Sequence, residues 1–278
     1  MREIDCVVCD LDGTLVDNTH SMSDKDKDAL KALHKQGVKI ILATARHYTY
    51  IREYIDALGL FGLTCTSGGG MIYDYADEEA VKIWNLPHKE LNEIIAYGLK
   101  HGLPMIAHKK DQMYITFENP RIKFFQRYNA RQSNPGFKVP FKVVDFKSLS
   151  PDGIFKFSVV NEPGKQDLSQ FDWLLRQNSL NIDPSSEELI DFTVRDASKG
   201  AALEYLSDFL GFDLNRTVVF GDSENDISMF KVAGIKIAMG NAVDRLKQRA
   251  DFITLRSGQS GIWHTLVNQL KVLYSVFS

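Results

Sequence analysis

The chain has 278 residues, of which 44% are hydrophobic and 25% charged, and its formal net charge is −3. This composition is typical of a globular protein, and the length predicts one large domain or two modest ones. There is no basic excess, no signal-peptide pattern and no apolar stretch near the roughly 18 residues of a membrane span. We therefore expect a cytoplasmic protein that binds neither nucleic acid nor membranes, and nothing indicates an obligate protein partner.

The first 66 residues alternate between strand-like and helix-like patterns. Short apolar runs predict three strands, at Cys6–Cys9, 38–43 and Leu63–Thr66. Ser23, with Asp26 three residues later, predicts the start of a helix that Gly37 ends, and a second helix is expected at about 50–58. This strand-helix alternation argues for a parallel sheet with right-handed crossovers.

The three cysteines are Cys6, Cys9 and Cys65, and they have no disulfide-framework spacing. Cys6 and Cys9 match the C-x-x-C spacing of metal and redox sites. However, they fall in a predicted buried strand, where residues three apart point to opposite faces. We favour free cysteines that act as small buried hydrophobic residues, which fits a reducing, cytoplasmic setting.

The strand-helix pattern returns near the C-terminus. Ser198 begins a predicted helix that Gly211 ends. Further strands are expected at 217–220, 235–238 and 252–254. We expect these strands to join the same sheet as the first three, so that both ends of the sequence contribute to one α/β core.

The middle of the chain has a different pattern. An amphipathic helix at about 90–99 is mixed with alternating strands at 112–117 and 155–160, and Pro and Gly are dense between 135 and 153. This indicates an α+β insert long enough for a core of its own. The fold class is therefore α/β, with a Rossmann-like parallel sheet and helices on both of its faces. The predicted domains are the core, 1–83 and 191–278, and the insert, 84–190.

The strongest chemical motif is the run DLDGTL at residues 10–15, directly after the first strand. Ligands of open α/β sheets bind beyond the carboxyl ends of the strands, so Asp10 falls where a catalytic group is expected. Asp12 can converge on the same site because Gly13 lets the backbone turn away. The alternative is a turn that merely closes the strand.

Two single residues strengthen the catalytic interpretation. Thr44 follows the second strand, where its hydroxyl and nearby backbone N–H groups could hold a phosphate oxygen, although it could also be a helix N-cap. Lys199 lies at a helix start, whereas a cation is more favourable at a helix C-terminus, which suggests that it meets an anion. The alternative for Lys199 is a solvated surface side chain.

The run GDSEND at residues 221–226 follows another predicted strand. If Asp10, Asp12, Asp222 and Asp226 converge, each carboxylate pair about 4 Å apart costs roughly 4 kcal/mol at an effective dielectric constant near 20. Such a cluster needs protons or a cation. Its all-oxygen ligands favour Mg²⁺, and no nearby His or Cys offers a zinc site.

Four places in the chain, in this order, resemble the signature of the haloacid dehalogenase superfamily: the DLDGTL run, Thr44, Lys199 and the GDSEND run. The whole chain is similar to its Cof-type branch, in which a large α/β cap domain is inserted between the second and third motifs. The insert at 84–190 occupies that place. The stretch MGNA at 239–242 and the Ala250-Asp251 pair are also similar to that branch.

The resemblance implies a role for each motif residue in a Mg²⁺-dependent phosphatase that acts on small phosphorylated metabolites, such as sugar phosphates. Asp10 would be the nucleophile that forms an aspartyl-phosphate, and Asp12 the general acid and base, a group that the dehalogenating members lack. The phosphate would be bound by Thr44, Ala45, Lys199 and Asn225. Mg²⁺ would be held by Asp10, the Asp12 backbone carbonyl and Asp222, and Asp226 would complete or orient this metal shell.

Three residues depart from the family pattern. Ala45 stands where Gly is usual, Gly68 where Asn is usual, and Ser260 where Asp is common. None of these departures removes a catalytic group. They affect what we expect of the hinge and the substrate pocket rather than of the chemistry.

Two other functions are compatible with parts of the sequence. A phosphomutase on the same scaffold would use cap cations such as Arg121, Lys123, Arg127 and Arg131, although their four-residue spacings also suit a solvated helical face, which we favour. A non-catalytic phospho-ligand sensor would need neither Asp10 nor Asp12. Side chains of the cap that could contact substrate are His108, Lys109, Tyr114 and Lys156, although each is as easily a surface or core residue.

Overall fold

The computed structural model describes residues 4–161, 168–186 and 188–273. The predicted domain ranges also include residues 1–3, 162–167, 187 and 274–278, which lie outside the described residues.

The strands and helices alternate through most of the chain. The strands are β1 (Cys6–Cys9), β2 (Lys39–Leu42), β3 (Leu63–Thr66), β4 (Met71–Asp74), β5 (Glu79–Ile83), β6 (Met105–His108), β7 (Met113–Ile115), β8 (Phe141–Val143), β9 (Lys156–Val160), β10 (Leu180–Ser186), β11 (Leu189–Val194), β12 (Thr217–Gly221), β13 (Ile235–Ala238) and β14 (Phe252–Ile253). The helices are α1 (Asp24–Lys35), α2 (Arg52–Leu58), α3 (His88–His101), α4 (Pro120–Arg131), α5 (Asp172–Leu175), α6 (Lys199–Leu210), α7 (Ile227–Val232), α8 (Asp244–Lys247) and α9 (Gly261–His264).

The chain forms two compact units by its internal contacts. The first unit comprises Met1–Thr44, Tyr54–Glu79 and Ser198–Ser278, and the second comprises Ala45–Glu53 and Ala80–Ala197. The predicted insert, 84–190, lies within the longer segment of the second unit. That this unit is a cap domain that selects the substrate stays a prediction.

A parallel five-stranded sheet forms the centre of the first unit, in the order β14-β13-β12-β1-β2. All four residues of β1 are buried, and so are all five of β12. Strands buried on both faces read as continuous apolar runs, which is why the sequence revealed them. The predicted α/β class with a parallel sheet is confirmed.

The strand β3 differs from its expected place in the parallel sheet. Its ladder is antiparallel, with β4, and a single parallel bridge joins Cys65 to Ala43 beyond the end of β2. The reversal between β3 and β4 uses Gly68 and Gly69, whose φ values are +73° and +100°. Glycine adopts these angles without steric cost, so the chain can fold back within four residues.

The second unit contains a sheet with the strand order β10-β11-β9-β6-β7-β8. Among the described strands of this sheet, the β7–β8 pair alone is parallel and the other pairs are antiparallel. One face packs the α3 residues Leu91 and Ile94 into a cluster with Phe157 and Phe192 of the sheet. The other cluster contains Ile106, Phe125 of α4 and the partly buried Tyr50. The expected α+β character of this region is observed.

Smaller expectations about the chain are also answered. Ser23 accepts a hydrogen bond from the Asp26 N–H at 3.3 Å, so it caps α1 as predicted. The three cysteines are free and buried, as we favoured. None of the helices in the described part of the chain combines the length and apolar character needed to cross a bilayer.

Candidate active site

The carboxyl ends of β1, β2 and β12 lie at one edge of the parallel sheet. Cys9, the last residue of β1, is in register with Leu42 of β2 and Phe220 of β12. Asp10 therefore leaves the sheet at the same edge as the segments that lead to Thr44 and Asp222. This is the edge at which open α/β sheets bind their ligands.

Lys199 and Asp10 form a buried ion pair at this edge. Lys199 Nζ lies 2.5 Å from Asp10 Oδ1, and the lysine side chain is 1% exposed. Lys199 is the first residue of α6, which Ser198 caps by accepting a hydrogen bond from the Ala201 N–H at 3.1 Å. Gly69 packs so closely on Ser198 that any side chain there would overlap its backbone. The start of α6 is thus fixed, and with it the position of the ammonium group.

Asp226 is fully buried and links Lys199 to the loop after β12. Its Oδ1 accepts a hydrogen bond from Lys199 Nζ at 2.6 Å. Its Oδ2 accepts from the backbone N–H groups of Asp222 at 2.8 Å and Ser223 at 3.0 Å. A side chain on Gly221 would overlap Asp226, so the loop needs glycine at that position. Both carboxylate oxygens of Asp226 therefore hold neighbouring groups in place.

Asp10, Asp222 and Asp226 present one oxygen atom each within 4.8 Å of one another. Two unit charges at that separation repel by about 3 kcal/mol at an effective dielectric constant near 20. Burial is the main cause that raises the pKa of Asp10 well above its ordinary value, against the lowering effect of Lys199. Burial, with Asp226 beside it, raises the pKa of Asp222 to about 7. One ammonium thus leaves an excess of carboxylate charge.

Thr14 and Asn241 contact the Asp222 carboxylate, and neither residue was assigned a role from the sequence. Thr14 Oγ1 donates to Asp222 Oδ1 at 3.2 Å. Asn241 Nδ2 donates to the Gly13 carbonyl oxygen at 2.7 Å and lies 3.4 Å from Asp222 Oδ2. Both belong to stretches that carried the family resemblance, DLDGTL and MGNA. That resemblance was the signal that could have marked them.

Gly13 makes the close approach of the first motif to Asp222 possible. Its φ is +80°, and a Cβ atom at this position would overlap the Asp222 carboxylate. The turn therefore needs glycine twice, for its backbone angle and for the space that Asp222 occupies.

Asp12 lies on the exposed side of this arrangement. Its side chain is 49% exposed, and its Oδ1 lies 3.8 Å from His20 Nδ1. Among the described residues, the Asp12 carboxylate is not part of the group formed by Asp10, Asp222 and Asp226. Its expected metal contact was through the backbone carbonyl, which stays a prediction.

The remaining predicted phosphate-binding residues lie on three segments. Thr44 is buried, its N–H donates to the Cys65 carbonyl oxygen at 2.9 Å, and its own carbonyl accepts from the Gly68 N–H at 2.9 Å. Asn225 Oδ1 accepts a hydrogen bond from Ser223 Oγ at 2.9 Å. Ala45 belongs to the second unit.

Two of the three departures from the family pattern, Ala45 and Gly68, suit the local backbone. Ala45 has no positive φ, so a residue with a Cβ atom fits there. Gly68 has a φ of +73°, an angle that glycine and asparagine both tolerate. Ser260 has a φ of +60°, and its hydroxyl lies 2.7 Å from the Ser23 hydroxyl, at the start of α1.

The donor set at the sheet edge fits a hard divalent cation. The grouped atoms are all carboxylate oxygens, the ligands that Mg²⁺ prefers, and the group contains no His or Cys. With all three carboxylates ionised, Lys199 leaves two negative charges in excess, which a divalent ion would balance. The predicted identity of the ion as Mg²⁺ is thus compatible with the residues present.

Comparisons with known proteins agree with this arrangement. A family model of the haloacid dehalogenase-like hydrolases matches residues 7–266. The 5-amino-6-(5-phospho-D-ribitylamino)uracil phosphatase YcsE of Bacillus subtilis (strain 168) is 26% identical over 260 residues, covering 94% of this chain and 93% of that protein. The pyridoxal phosphate phosphatase YbhA of Escherichia coli (strain K12) is 26% identical over 253 residues, covering 89% of this chain and 92% of that protein.

The fold has close counterparts among solved structures. The structure of the HAD subclass IIB sugar phosphatase BT4131 matches with a TM-score of 0.82 at 24% identity, covering 96% of this chain and 99% of that chain. At this identity the likeness shows a common fold.

Proposed function

The chain belongs to the haloacid dehalogenase-like hydrolases and is a phosphatase, and on this premise we propose that it forms an aspartyl-phosphate on Asp10 in a Mg²⁺-dependent reaction. The observation that carries the proposal is the position of the Lys199 ammonium, 2.5 Å from Asp10 and 2.6 Å from Asp226, beside Asp222. Phosphoryl transfer needs mainly positioning and positive charge around the phosphoryl oxygens. A nucleophilic carboxylate with a fixed cation meets both needs.

The proposed reaction has two steps. Asp10 attacks phosphorus, the bond to the leaving oxygen breaks, and Asp12 gives that oxygen a proton. Asp12 then takes a proton from water, which attacks the phosphorus of the aspartyl-phosphate and releases inorganic phosphate and Asp10. Covalent catalysis of this kind divides one difficult step into two easier ones. The 49% exposure of Asp12 lets it exchange protons with solvent between the steps.

The phosphoryl group would be held by residues of three segments. We assign this role to Lys199, to Thr44 and the neighbouring Ala45, and to Asn225. Lys199 also offsets part of the charge of Asp10, which favours the ionised carboxylate that attack needs and opposes the effect of burial. The fixed start of α6 keeps that ammonium in place before and after attack.

Mg²⁺ would be held by the Asp10 and Asp222 carboxylates and by the Asp12 carbonyl. Such an ion supplies positive charge that stabilises a transferring phosphoryl group. Both oxygens of Asp226 already accept hydrogen bonds. We therefore propose that Asp226 orients Lys199 and the Asp222 loop rather than coordinating the metal directly. Thr14 and Asn241 would fix the Asp222 carboxylate in turn.

The proposed substrates are small phosphate monoesters, such as sugar phosphates. The two relatives named above are phosphatases of a phosphoribitylamino-pyrimidine and of pyridoxal phosphate, which are both small monoesters. We propose that the insert predicted at residues 84–190 is a cap domain that selects among such substrates. The cytoplasm remains the proposed setting.

The phosphomutase alternative depends on cations of α4. Lys123, Arg127 and Arg131 are exposed, and the Arg127 Nε donates to the Lys123 carbonyl oxygen within the helix. Arg121 is paired with Glu188 at 3.4 Å. These arrangements support the solvated helical face over a phosphate clamp.

The test is phosphate release from a panel of metabolite phosphates with Mg²⁺, with Asp10→Asn as control. We expect the wild-type protein to release inorganic phosphate and the variant to be folded but inactive. A mutase would move phosphoryl groups between substrate positions without releasing phosphate, and a sensor would do neither. Equal activity of Asp10→Asn and wild type would overturn the proposal.

A further inference from the structure

The chain passes from the first unit to the second between Thr44 and Ala45. This junction lies within the segment to which we assign phosphate binding. On the Thr44 side, the backbone is held by Cys65 and Gly68 through hydrogen bonds of 2.9 Å each. On the Ala45 side, the backbone is held by Lys156, which belongs to the second unit as Ala45 does.

Lys156 is a buried cation with two partners. It is 4% exposed, and its Nζ lies 2.5 Å from Asp191 Oδ2 and donates to the Ala45 carbonyl oxygen at 3.0 Å. Lys156 begins β9, and Asp191 lies on the neighbouring strand β11. Burying a lysine is unfavourable unless the charge is paired and hydrogen-bonded, so the geometry of this contact is strongly constrained.

Ser158 and His108 extend this buried network. Ser158 Oγ donates to Asp191 Oδ1 at 2.6 Å and lies 3.3 Å from His108 Nε2. Because the single hydroxyl proton of Ser158 goes to Asp191, the contact with His108 requires Nε2 to carry the imidazole proton. Burial, and then Lys156, lowers the pKa of His108 well below its ordinary value, so the imidazole is neutral. Lys156 is then the cation of this network.

We propose that Lys156 is a positioning residue for the phosphatase reaction, because it fixes the Ala45 carbonyl and thereby orients the phosphate-binding segment that begins at Thr44. The carbonyl of residue 45 and the N–H of residue 46 share one planar peptide group, so holding one orients the other. This inference rests on the proposed function. It also gives Lys156 and His108 a different role from the direct substrate contact that we considered from the sequence.

The variant Lys156→Met tests the inference because it keeps the apolar stem and removes the donor. We expect inorganic phosphate to bind about tenfold more weakly by titration calorimetry in the presence of Mg²⁺, since a hydrogen bond from a charged group is lost. KM for a monoester substrate should rise by a similar factor, while kcat falls by less. A purely structural role would lower stability without this selective loss of phosphate affinity.

The matched control is Ser158→Ala. It perturbs the same buried network but does not touch Ala45, so its affinity for inorganic phosphate should stay within about twofold of wild type. If Lys156→Met does not fold, the double variant Lys156→Met with Asp191→Leu is used instead. It replaces the buried carboxylate, which would otherwise lack its cation, with an apolar side chain. The double variant should show the same weakened phosphate binding.

The results separate this inference from the proposed function. If the wild-type protein releases no phosphate from any monoester, the proposed function itself fails. If it does release phosphate, but a folded Lys156 variant binds inorganic phosphate as wild type does, only the positioning role is overturned. An equal loss of affinity in Ser158→Ala would overturn it as well.

Discussion

Lys199 offsets part of the carboxylate charge of the candidate active site. Its ammonium is buried and contacts Asp10 and Asp226. Burial lowers the pKa of Lys199, but the two carboxylates outweigh this effect and raise it above its ordinary value, so the side chain stays cationic. A buried charge in this position is compatible with folding only because it is paired on both sides.

The variant Lys199→Met should lose both activity and stability. We expect phosphate release to fall by at least about a hundredfold, the scale seen when one group that stabilises transition-state charge is removed. Removing one partner of a buried pair costs about 3–5 kcal/mol in the free energy of unfolding. At low pH the carboxylates left behind can take up protons, so the stability loss should be larger at pH 8 than at pH 5.

Urea unfolding of metal-free protein at these two pH values measures that difference. The isosteric choice of Met keeps the volume of the stem, so a cavity is not the cause of the loss. A variant that is as active as wild type, or that is destabilised equally at pH 5 and pH 8, would contradict the role given to Lys199.

Many residues of the candidate site could be predicted from the residue types that follow strands. The contacts between these residues could not be predicted from the sequence. The sequence pointed to Asp10, Lys199 and Asp222 because each follows a strand or opens a helix. It gave no indication that both oxygens of Asp226 are occupied by Lys199 and by backbone N–H groups. Nor could spacing show that Asn241 contacts Gly13, 228 residues away. Such contacts depend on loop conformations that only the folded chain defines.

The turn after β1 is the element that places Gly13 against the Asp222 carboxylate. Gly13 combines a φ of +80° with the absence of space for a Cβ atom beside Asp222. Gly37, after α1, has a φ of +89° but nothing within 4 Å of the place where its Cβ would lie. A substitution at Gly13 therefore causes both backbone strain and steric overlap, whereas the same substitution at Gly37 causes backbone strain alone.

We predict that Gly13→Ala lowers kcat/KM by about a hundredfold or more, which corresponds to about 2.7 kcal/mol, because it displaces the Asp222 carboxylate. Gly37→Ala should lower the free energy of unfolding by roughly 1–2 kcal/mol through backbone strain alone and leave kcat/KM unchanged. Steady-state kinetics and urea unfolding of both variants give the comparison. Similar activity of the two variants would show that the overlap at Gly13 is unimportant.

Elements with a clear apolar pattern were predictable, and those defined by turns were not. The strands β1 and β13 match the predicted ranges, because continuous apolar runs indicate buried parallel strands. The helix expected at about 50–58 is present as α2, Arg52–Leu58, and a 3₁₀ turn, Tyr48–Tyr50, precedes it. The reversal from β3 into β4 was missed, since positive φ values at Gly68 and Gly69 leave no apolar signature in the sequence.

At the scale of the whole molecule, the proposed metal joins the two ends of the chain. Asp10 and Asp222 are more than 200 positions apart in the sequence, and a cation bound by both exists only in the folded protein. Ligands that bind the native state alone stabilise it by mass action. Metal binding and folding should therefore be thermodynamically linked.

Mg²⁺ should raise the midpoint of thermal unfolding by roughly 5 °C or more at saturating concentration, and a chelator should reverse the effect. The variant Asp222→Asn should show no such shift, because a metal ligand is lost while the hydrogen bond from Thr14 can remain. Differential scanning calorimetry with and without Mg²⁺ measures both. A wild-type midpoint that does not respond to Mg²⁺ would contradict metal binding at this site.

The stability of the metal-free protein should depend on pH through Asp222. Its pKa rises from 3.8 to about 7 on folding, so the folded state binds this proton more tightly than the unfolded state does. The metal-free protein should therefore lose stability as the pH rises from about 4 to 7. Since Mg²⁺ competes with the proton, its stabilising effect should be larger at pH 8 than at pH 6. The opposite pH trend in calorimetry would contradict the assigned shift.

The most direct test of the account is to trap the phosphorylated protein. In Asp12→Asn, an aryl phosphate can still phosphorylate Asp10, because its leaving group needs little protonation, but hydrolysis of the aspartyl-phosphate lacks its base. After acid quenching, mass spectrometry should find one phosphoryl group on Asp10 of this variant and none in Asp10→Asn. A phosphoryl group on another residue, or product release from Asp12→Asn with Asp10 unmodified, would contradict nucleophilic attack by Asp10.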